Sequence, residues 1–501
     1  MEAQVQETTP VVVIGAGPVG LAAAAHLRAY GLPHIVLESG EQAGAAVRAW
    51  GHVRTFTPWR WIVDDEAEKL LSPTGWGRPD GDVPPTGAEI ADRYLAPLAA
   101  ALGTVRTRCR AVAVTRDGLD KTRTIGREAR AFVVRVEHAD GSVEDLAARA
   151  VIDASGTWGR RNPLGASGLP AVGEAEAAAA GTVVAALPDV LGADRARFAG
   201  KRTLVVGMGH SAAGTLRDLA RLAREVPGTQ AIWAIRSHTA RRLYGGAGAD
   251  QLADRGRLGS DLQHLVEAGE VELVAGFRTT RLELQERDGE RTVTVTGTVG
   301  SARESIAGVH TVVAATGFRP DLEMLSELRL DLDPGLESPR LLAPLIDPQF
   351  HSCGTVPPHG HAELAHPGEP GFYVVGAKSY GRAPTFLIAT GNEQARSVVA
   401  AIAGDAAAAD EVQLVLPETG VCSTSGADAG SSTVAADPAA CCGASGPATV
   451  QGAGSTKGPA AGPGPGLAQG FATGQGGGLL AGLTVLGDTG TSCASDGGGC
   501  G

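Results

Sequence analysis

The stretch Val11-Val12-Val13-Ile14-Gly15-Ala16-Gly17-Pro18-Val19-Gly20 decides the fold of this 501-residue chain. The four apolar residues that open it are β-branched and suit a buried parallel strand. The residues that follow, Leu21 to Tyr30, predict an alanine-rich helix that Gly31 can end. A strand, a glycine-punctuated turn and a helix in this order are typical of a nucleotide-binding β-α-β unit.

The glycines of this turn have separate tasks. Gly15 permits the tight turn, Gly17 lets a pyrophosphate approach the backbone, and Gly20 lets the helix pack close to the strand. The helix N-terminus then faces the phosphates, where its N–H groups and dipole favour negative charge. We predict a dinucleotide site here; the alternative is a β-α turn that is only rich in glycine. The predicted phosphate-binding residues are Gly15, Gly17, Pro18 and Gly20.

A second apolar run supports the dinucleotide site. His34-Ile35-Val36-Leu37 predicts the next strand, and it ends in Glu38, followed by Ser39. An acid about 20 residues beyond the glycines is placed to bind a ribose hydroxyl. We therefore add Glu38 and Ser39 to the first site.

Composition excludes several classes of protein. The formal net charge of -12 argues against a nucleic-acid partner, which favours a basic face. The segment Met1 to Pro10 lacks the basic start and apolar centre of a secretory signal, and no uncharged apolar run reaches the ~18 residues of a membrane span. Of seven cysteines, only Cys109 and Cys353 precede residue 410. This distribution predicts a reduced, cytoplasmic protein that does not associate with membranes.

A segment dense in aromatic and basic side chains follows the first β-α-β unit. One interpretation is a surface loop whose tryptophans cover the core. The other is a segment that reaches over a planar ligand, because aromatic and guanidinium planes stack on flat rings. Trp50 is the candidate for flavin contact, and His52 and Arg54 are catalytic candidates from their position alone. The segment contains Trp50, His52, Arg54, Phe56, Trp59, Arg60 and Trp61.

The next region changes character. Val105 to Val114, Ala131 to Glu137 and Ala147 to Ile152 predict strands of a small sheet that packs against the nucleotide domain. The last of these leads into Asp153-Ala154-Ser155-Gly156-Thr157-Trp158, where small residues let the backbone pass close to a ligand or another segment. Ser155 and Gly156 are therefore candidates for the first site.

A second strand meets glycines at Arg202-Thr203-Leu204-Val205-Val206-Gly207-Met208-Gly209-His210-Ser211-Ala212. Ala212 stands at the third small position, which the dinucleotide fingerprint tolerates. The following strand, Ala231 to Ile235, ends in Arg236 rather than in an acid. An arginine can bind a 2′-phosphate through two hydrogen bonds, so we predict NADPH here; the alternative is that Arg236 is a solvated strand end. The predicted contacts are Gly207, Gly209, His210, Ser211, Ala212 and Arg236.

Two dinucleotide folds with opposite charges at the discriminating position define a reaction type. One protein that binds an acid-selected and a phosphate-selected dinucleotide most simply binds FAD at the first site and NADPH at the second. Hydride then passes from the nicotinamide to the flavin, and the cofactors carry the difficult chemistry.

Together with Ala314-Ala315-Thr316-Gly317-Phe318-Arg319-Pro320-Asp321, these motifs resemble the two-dinucleotide-domain flavoproteins, which include flavin-containing monooxygenases and thioredoxin-reductase-like enzymes. Three further stretches resemble the flavin monooxygenase-like proteins of bacterial arsenic-resistance clusters. They are Trp50-Gly51-His52-Val53-Arg54, Leu187-Pro188-Asp189-Val190-Leu191-Gly192 and Ser379-Tyr380-Gly381-Arg382-Ala383-Pro384-Thr385-Phe386.

The resemblance implies an α/β chain with two doubly wound Rossmann-like domains, the NADPH domain inserted in the FAD domain. The implied ranges are 10–165 and 306–405 for the FAD domain, 195–305 for the NADPH domain, and 410–501 for a disordered tail. Thr316 and Gly317 join the NADPH site. In the returning part, Gly371 to Ala377 is a strand ending at the flavin and Pro384 to Ala403 is a helix. Relatives have Gly-Asp at this strand end; here Gly376-Ala377 stands instead, so Gly376 and Lys378 become the candidates.

Two departures bear on the activity. The sequence holds no C-x-x-C pair, which disfavours a single-chain thioredoxin-reductase mechanism. Phe198-Ala199-Gly200-Lys201-Arg202 matches the opening of the Phe-x-Gly fingerprint of flavin monooxygenases, although the expected histidine is missing. Monooxygenation of a soft nucleophile such as sulfur, nitrogen or trivalent arsenic is therefore what the resemblance implies.

The tail from residue 410 is rich in glycine and poor in aromatic residues, so it cannot readily bury a core and we expect disorder. One interpretation is a low-complexity appendage with incidental thiols. The other is capture of a thiophilic ion such as arsenite, or a flexible dithiol that reaches the flavin. We expect no metal site in the body of the chain. The thiol candidates are Cys422, Cys441, Cys442, Cys493 and Cys500.

Three functions remain open from the sequence. The favoured one is an NADPH-dependent, FAD-containing monooxygenase-like enzyme whose partners are a small-molecule substrate and oxygen. The second is a flavin-dependent NADPH oxidase or a disulfide-type reductase that uses the tail thiols. The third is a noncatalytic redox sensor or thiol-metal binding flavoprotein.

Overall fold

A computed structural model describes residues 9–244, 253–287, 289–351 and 355–415. Of the predicted disordered tail, residues 410–415 are described, and Asp410 ends the last of the described helices. The rest of the tail with its five cysteines, and Cys353, lie outside the described residues. The strands in chain order are β1 (Val11–Ile14), β2 (His34–Leu37), β3 (Val105–Arg106), β4 (Cys109–Arg116), β5 (Phe132–His138), β6 (Val143–Ala148), β7 (Ala150–Asp153), β8 (Val183–Ala185), β9 (Arg202–Val206), β10 (Gln230–Ile235), β11 (Val271–Ala275), β12 (Phe277–Arg287), β13 (Glu290–Val299), β14 (Ala302–Val309), β15 (Thr311–Ala314) and β16 (Phe372–Val374).

The helices range from single turns to sixteen residues. They are α1 (Pro18–Ala29), α2 (Ala45–Arg48), α3 (Asp65–Leu71), α4 (Gly87–Ile90), α5 (Ala96–Leu102), α6 (Glu174–Ala179), α7 (Arg195–Phe198), α8 (His210–Glu225), α9 (Arg241–Tyr244), α10 (Ala253–Glu267), α11 (Ala343–Ile346), α12 (His361–Leu364), α13 (Ile388–Ala403) and α14 (Ala406–Asp410). Among them, within the described ranges, none is long and apolar enough to span a bilayer.

Two parallel sheets organise the molecule. The first has five strands in the order β16-β7-β1-β2-β3, and every neighbouring pair in it is parallel. The second has the order β11-β10-β9-β15-β8, again with parallel pairs throughout. β1 and β9 lie at the middle of their sheets, where the wholly apolar β1 and the last three residues of β9, Leu204 to Val206, are buried. The predicted α/β class with two parallel sheets is confirmed.

The chain leaves the first sheet after β7 and returns to it with β16. All five strands of the second sheet lie between these two, from Val183 to Ala314. This stretch is wider at both ends than the range 195–305 expected from the sequence, because β8 precedes it and β15 pairs with β9 and not with the first sheet. The division of the chain into an FAD and an NADPH domain is taken up below as a proposal.

Two antiparallel three-stranded sheets complete the described fold. The sheet β4-β5-β6 corresponds to the small sheet predicted from the sequence, but its boundaries differ. The predicted strand from Val105 to Val114 is broken at Arg108, whose φ of 56° is incompatible with a strand, so β3 joins the first sheet and β4 the small one. The predicted strand from Ala147 to Ile152 is likewise divided between β6 and β7. The sheet β12-β13-β14 was not predicted.

The helices follow the sequence more closely. The segment from Gly87 to Leu102 is helical, with a π-helical turn at Ala91–Leu95 ahead of Pro97, which has no N–H to donate. The helix expected from Pro384 begins only at Ile388, where Leu387 is still extended. α13 packs against α1, so the returning part of the chain covers the first helix.

Candidate functional site

The first glycine turn joins β1 to α1 and is shaped by backbone crowding. Gly15 has a φ of +101°, and a Cβ on it would lie 2.7 Å from the Ala154 carbonyl oxygen. A Cβ on Gly20 would overlap the Gly15 carbonyl oxygen. A side chain fits at neither position, which agrees with the tight turn and the close helix packing expected of these two glycines.

Gly17 differs from its neighbours because it faces open space. A Cβ on Gly17 would meet no atom within 4 Å, and its φ of -81° is available to any residue. Nothing within the protein therefore requires glycine there. A ligand that approaches the backbone would require it, and α1 begins at the next residue, Pro18, with its N–H groups directed toward that space.

Glu38 lies directly beneath this turn at the end of β2. Its side chain is 8% exposed, and Oε2 accepts a hydrogen bond of 3.0 Å from the Ala16 N–H. Oε1 accepts a second bond of 2.8 Å from the Gly40 N–H, and Ser39 lies beside it. Two backbone donors thus fix the carboxylate next to the glycine turn, where a ribose hydroxyl would be expected.

A buried ion pair closes the end of β7. Asp153 is fully buried, and Lys378, from the turn that follows β16, places Nζ 2.6 Å from its Oδ2. Nζ also contacts the Ser155 hydroxyl at 3.1 Å. Gly156, with a φ of +71° and open space around it, comes next. The prediction named Lys378 as a flavin contact; in the structure its ammonium binds Asp153 and Ser155.

A second buried polar cluster holds the turn after β16, and sequence reasoning missed it. Gln394 of α13 accepts a hydrogen bond of 2.7 Å from the Gly376 N–H, and its amide nitrogen lies 3.0 Å from both Ser379 Oγ and His359 Nε2. His359 Nδ1 lies 2.9 Å from the Pro357 carbonyl oxygen, which makes Nδ1 the protonated nitrogen and Nε2 the acceptor. Burial lowers the pKa of His359 and keeps the ring neutral.

The second glycine turn repeats the geometry of the first. Gly207 has a φ of +137°, and a Cβ on it would overlap the Ala315 carbonyl oxygen. Gly209 has a φ of -103°, and a Cβ there would meet nothing within 4 Å. α8 begins at His210, followed by Ser211, and Ala212 is fully buried. The first glycine of each turn is thus confined by the residues that follow the neighbouring strand, Ala154 for Gly15 and Ala315 for Gly207. The second glycine of each turn faces open space.

The segment after β15, which crowds Gly207, is hydrogen-bonded to Asn162, a residue that follows β7 in the chain. Thr316 donates a hydrogen bond of 2.6 Å from Oγ1 to the Asn162 carbonyl oxygen, and the Asn162 N–H donates to the Gly317 carbonyl oxygen at 2.9 Å. The Asn162 side chain donates to the carbonyl oxygens of Thr316 and Phe318. Asn162 was not predicted, since no local pattern in the sequence marks it.

Arg236 follows directly on β10, where the sequence placed it. Its guanidinium is partly exposed and donates to the Ala166 carbonyl oxygen at 3.2 Å through Nη1. This acceptor is neutral, and no carboxylate of the described residues pairs with the guanidinium. An arginine in this state is suited to a phosphate.

The aromatic segment contacts both the core of the first sheet and the second glycine turn. Trp59 is 2% exposed and belongs to the core of the first sheet, which agrees with the core-covering interpretation. Phe56 instead contacts the His210 ring edge-on at 5.2 Å, beside the second glycine turn. Arg54 donates a hydrogen bond to the Pro84 carbonyl oxygen. His52 is exposed and is close enough to Asp218 of α8 for their charges to interact. Arg54 Nη1 also lies 3.7 Å from Glu89 Oε2, so each candidate has a carboxylate of the protein nearby, and its catalytic role stays a prediction.

Cys109 is the free thiol in the described part of the chain. Within the described ranges, no three His, Cys, Asp or Glu side chains are arranged to hold a metal ion. Cys109 is buried beside β2, and burial raises the pKa of its thiol. It is therefore a protonated thiol near neutral pH, which is a poor nucleophile.

Comparisons with known proteins agree with this geometry. Residues 8–57 match a family model described as an FAD binding domain. No curated protein matches the chain. Among solved structures, the bacillithiol disulfide reductase of Bacillus cereus superposes with a TM-score of 0.58 at 19% identity, over 79% of this chain and 99% of that one.

Two monooxygenases are similar in the same way. The FAD-bound cadaverine monooxygenase DfoA of Erwinia amylovora has a TM-score of 0.52 at 14% identity, over 83% of this chain and 98% of that one. A mutant flavin monooxygenase of Stenotrophomonas maltophilia has a TM-score of 0.51 at 23% identity, over 79% and 98%.

The class of protein follows from the fold and the first site together. The chain has the two-dinucleotide-domain flavoprotein fold, and residues 8–57 are its FAD-binding part, which confirms the predicted fold class and FAD cofactor. Its first β-α-β unit is that of an FAD-binding flavoprotein. Disulfide reductases and monooxygenases share this architecture, so the reaction has to be argued from the chain's own residues.

Proposed function

We propose that the chain is an NADPH-dependent, FAD-containing oxidoreductase of the monooxygenase type that acts in the cytoplasm. One observation carries the proposal: two glycine turns of the same geometry end the central strands of two parallel sheets, and the acid Glu38 accompanies the first while Arg236 accompanies the second. In this proposal 10–165 and 306–405 form the FAD domain, and 195–305, extended to β8 and β15, the NADPH domain.

The residues present fit the two cofactors. The open space at Gly17 and at Gly209 leaves room for a pyrophosphate against the backbone. A Cβ at either position would occupy part of that room. Glu38 would accept a hydrogen bond from the adenosine ribose of FAD, and its charge would repel a 2′-phosphate. Arg236 would bind the 2′-phosphate of NADPH. Bound FAD supplies the hydride acceptor and the reaction with dioxygen.

The chain itself orients the reactants. α1 and α8 direct their N-termini at the two pyrophosphates, and the Phe56–His210 contact links the aromatic segment to the second turn. In the proposed reaction, one NADPH, one proton and one O₂ are consumed. One oxygen atom goes to a small soft nucleophile, and the other leaves as water. Trivalent arsenic is the substrate that we favour, with arsenite gaining one oxygen to become arsenate.

The decisive experiment measures how NADPH consumption divides between products. Purified protein should be yellow and should oxidise NADPH with uptake of oxygen. With arsenite, or with a thioether as a second soft nucleophile, we expect one oxygenated product per NADPH and little hydrogen peroxide. Hydrogen peroxide in a 1:1 ratio to NADPH, with either substrate present, would instead identify an NADPH oxidase. Protein that takes up no flavin on reconstitution would refute the proposal.

A disulfide-type reductase is the second candidate, because the bacillithiol disulfide reductase shares the fold and the tail carries five cysteines. It predicts anaerobic NADPH oxidation with a disulfide substrate. Replacing the five tail cysteines by serine should abolish that activity, whereas Cys109→Ser, the matched control in the core, should retain it. A noncatalytic sensor would bind both nucleotides tightly and show no turnover in either assay.

A further inference from the structure

The ion pair of Asp153 and Lys378 is an expensive feature to place inside a protein. The two side chains are 0% and 1% exposed, and Nζ lies 2.6 Å from Oδ2. Removing two charges from water costs several kcal/mol per ion, and their attraction offsets that cost only with good geometry and further hydrogen bonds. A hydrophobic pair of similar size would stabilise the fold at least as well, so the pair calls for a reason other than stability.

The further hydrogen bonds converge on one residue, Ser155. Its N–H donates to Asp153 Oδ1 at 3.1 Å, and its hydroxyl donates to the same oxygen at 2.6 Å. The Lys378 ammonium donates to the Ser155 hydroxyl oxygen at 3.1 Å. The pair therefore fixes the backbone of the turn that follows β7, and it fixes that turn to the end of the neighbouring strand β16.

This turn is the wall against which the first glycine turn is built. A Cβ on Gly15 would lie 2.7 Å from the Ala154 carbonyl oxygen and 2.9 Å from Ser155 Cα. The Ala154 N–H in turn donates to the Ile14 carbonyl oxygen at 2.9 Å. Any displacement of residues 154–156 is thus transmitted to Gly15, and from there to the open backbone at Gly17.

We propose that Asp153 and Lys378 are positioning residues for FAD that act as a couple. They hold the 154–156 turn against Gly15 and so keep the pyrophosphate-binding backbone in shape before the cofactor arrives. In this proposal Lys378 acts through Asp153 and Ser155, the two residues that its ammonium contacts. The inference rests on the proposal that the Gly15–Gly20 turn binds FAD.

The test is a double-mutant cycle read out as the FAD dissociation constant of the deflavinated full-length protein. Lys378→Met leaves a buried carboxylate without its cation, and Asp153→Asn leaves a buried ammonium without its anion. Each should weaken FAD binding at least ~10-fold. The double variant D153N/K378M removes both charges and should return to within about 3-fold of the native constant.

The control separates positioning from general stability. Arg127 and Glu369 form another buried ion pair, and no contact among the described residues joins that pair to the glycine turn. Arg116 also pairs with Glu369, so the carboxylate keeps one cation when Arg127 is replaced. Arg127→Met should lower the melting temperature and leave the FAD dissociation constant unchanged.

Two results would overturn the inference. A double variant as weak as Lys378→Met would mean that Lys378 contacts FAD directly, and single variants with native FAD affinity would mean that the pair is only structural. If the single variants do not fold, Ser155→Ala decides, because it keeps both charges; a native dissociation constant would then refute the positioning role and a several-fold weaker one would support it. Absence of FAD binding by the native protein would contradict the proposed function itself.

Discussion

Gly17 offers the sharpest separation of folding from binding in this chain. Alanine at position 17 would adopt a φ of -81° and a ψ of -174° without strain, and its Cβ would meet no atom within 4 Å. Gly17→Ala should therefore leave the unfolding free energy of the apoprotein unchanged or raise it by about 0.4–1 kcal/mol, because alanine restricts the unfolded chain. The same Cβ would stand where the pyrophosphate must approach the backbone.

The expected loss is that of one hydrogen bond to a charged group, about 1.5–3 kcal/mol. The FAD dissociation constant should therefore rise by about 10- to 150-fold. FAD titration followed by fluorescence, together with urea unfolding of the apoprotein, measures both quantities. Gly209→Ala is the matched control: it makes the same change at the second turn, where φ is -103°, and should retain native FAD affinity. Native FAD affinity in Gly17→Ala, or a large loss of apoprotein stability, would refute the reasoning.

Three further changes have defined outcomes. Arg236→Gln should raise the KM for NADPH about 10-fold, because the charge-assisted contact to the 2′-phosphate is lost, and should leave the KM for NADH unchanged. Steady-state kinetics with both nucleotides measure the two KM values, and an equal rise in both would contradict the assignment of Arg236. Burial lowers the pKa of His366 from 6.5 to about 4, so below pH 6.5 only the unfolded chain gains this proton and stability falls by about 3 kcal/mol by pH 4. His366→Gln should remove that part of the pH dependence in urea unfolding, and an unaltered profile would contradict the assignment. Tyr94→Phe should cost about 1–2 kcal/mol of unfolding free energy, because the buried Asp64 N–H loses its 3.1 Å acceptor; an unchanged urea midpoint would show that water replaces the hydroxyl.

The predictions for the first site rest on local patterns. The order strand, glycine turn and helix lies within about 20 residues, so the positions of Gly15, Gly17 and Gly20 were fixed by neighbours in sequence. Glu38 was found for the same reason, since it directly ends the next apolar run. The structure adds a distinction that spacing alone does not contain: a Cβ would crowd the neighbouring backbone at Gly15 and would meet open space at Gly17.

Contacts between distant segments escaped the sequence. Gln394, His359 and Ser379 form one buried cluster only because α13 packs beside the turn after β16. Lys378 was predicted as a flavin contact, and its contact with Asp153 escaped the sequence because 225 residues separate the two along the chain. A charge in an apolar strand end, as at Asp153, is the signal that could have suggested a buried counter-ion.

The missed sheet β12-β13-β14 had a local signal. Asp288-Gly289 stands between two runs in which apolar and polar residues alternate, as in Thr292 to Val295, and this combination is typical of a β-hairpin. The opposite error occurred near Arg108, where an apparently continuous strand contains a residue in the left-handed region. Backbone conformation of that kind has no reliable sequence marker unless glycine or asparagine occupies the position.

The return of β16 to the first sheet also determines how long β7 waits for its neighbouring strand during synthesis of the chain. Asp153 meets its counter-ion 225 residues later, after every strand of the second sheet has been made. At about 5–20 residues per second, the ribosome needs roughly 10–45 s to synthesise that stretch. For this period β7 is an edge strand of the nascent first sheet, and the Asp153 carboxylate has no lysine partner.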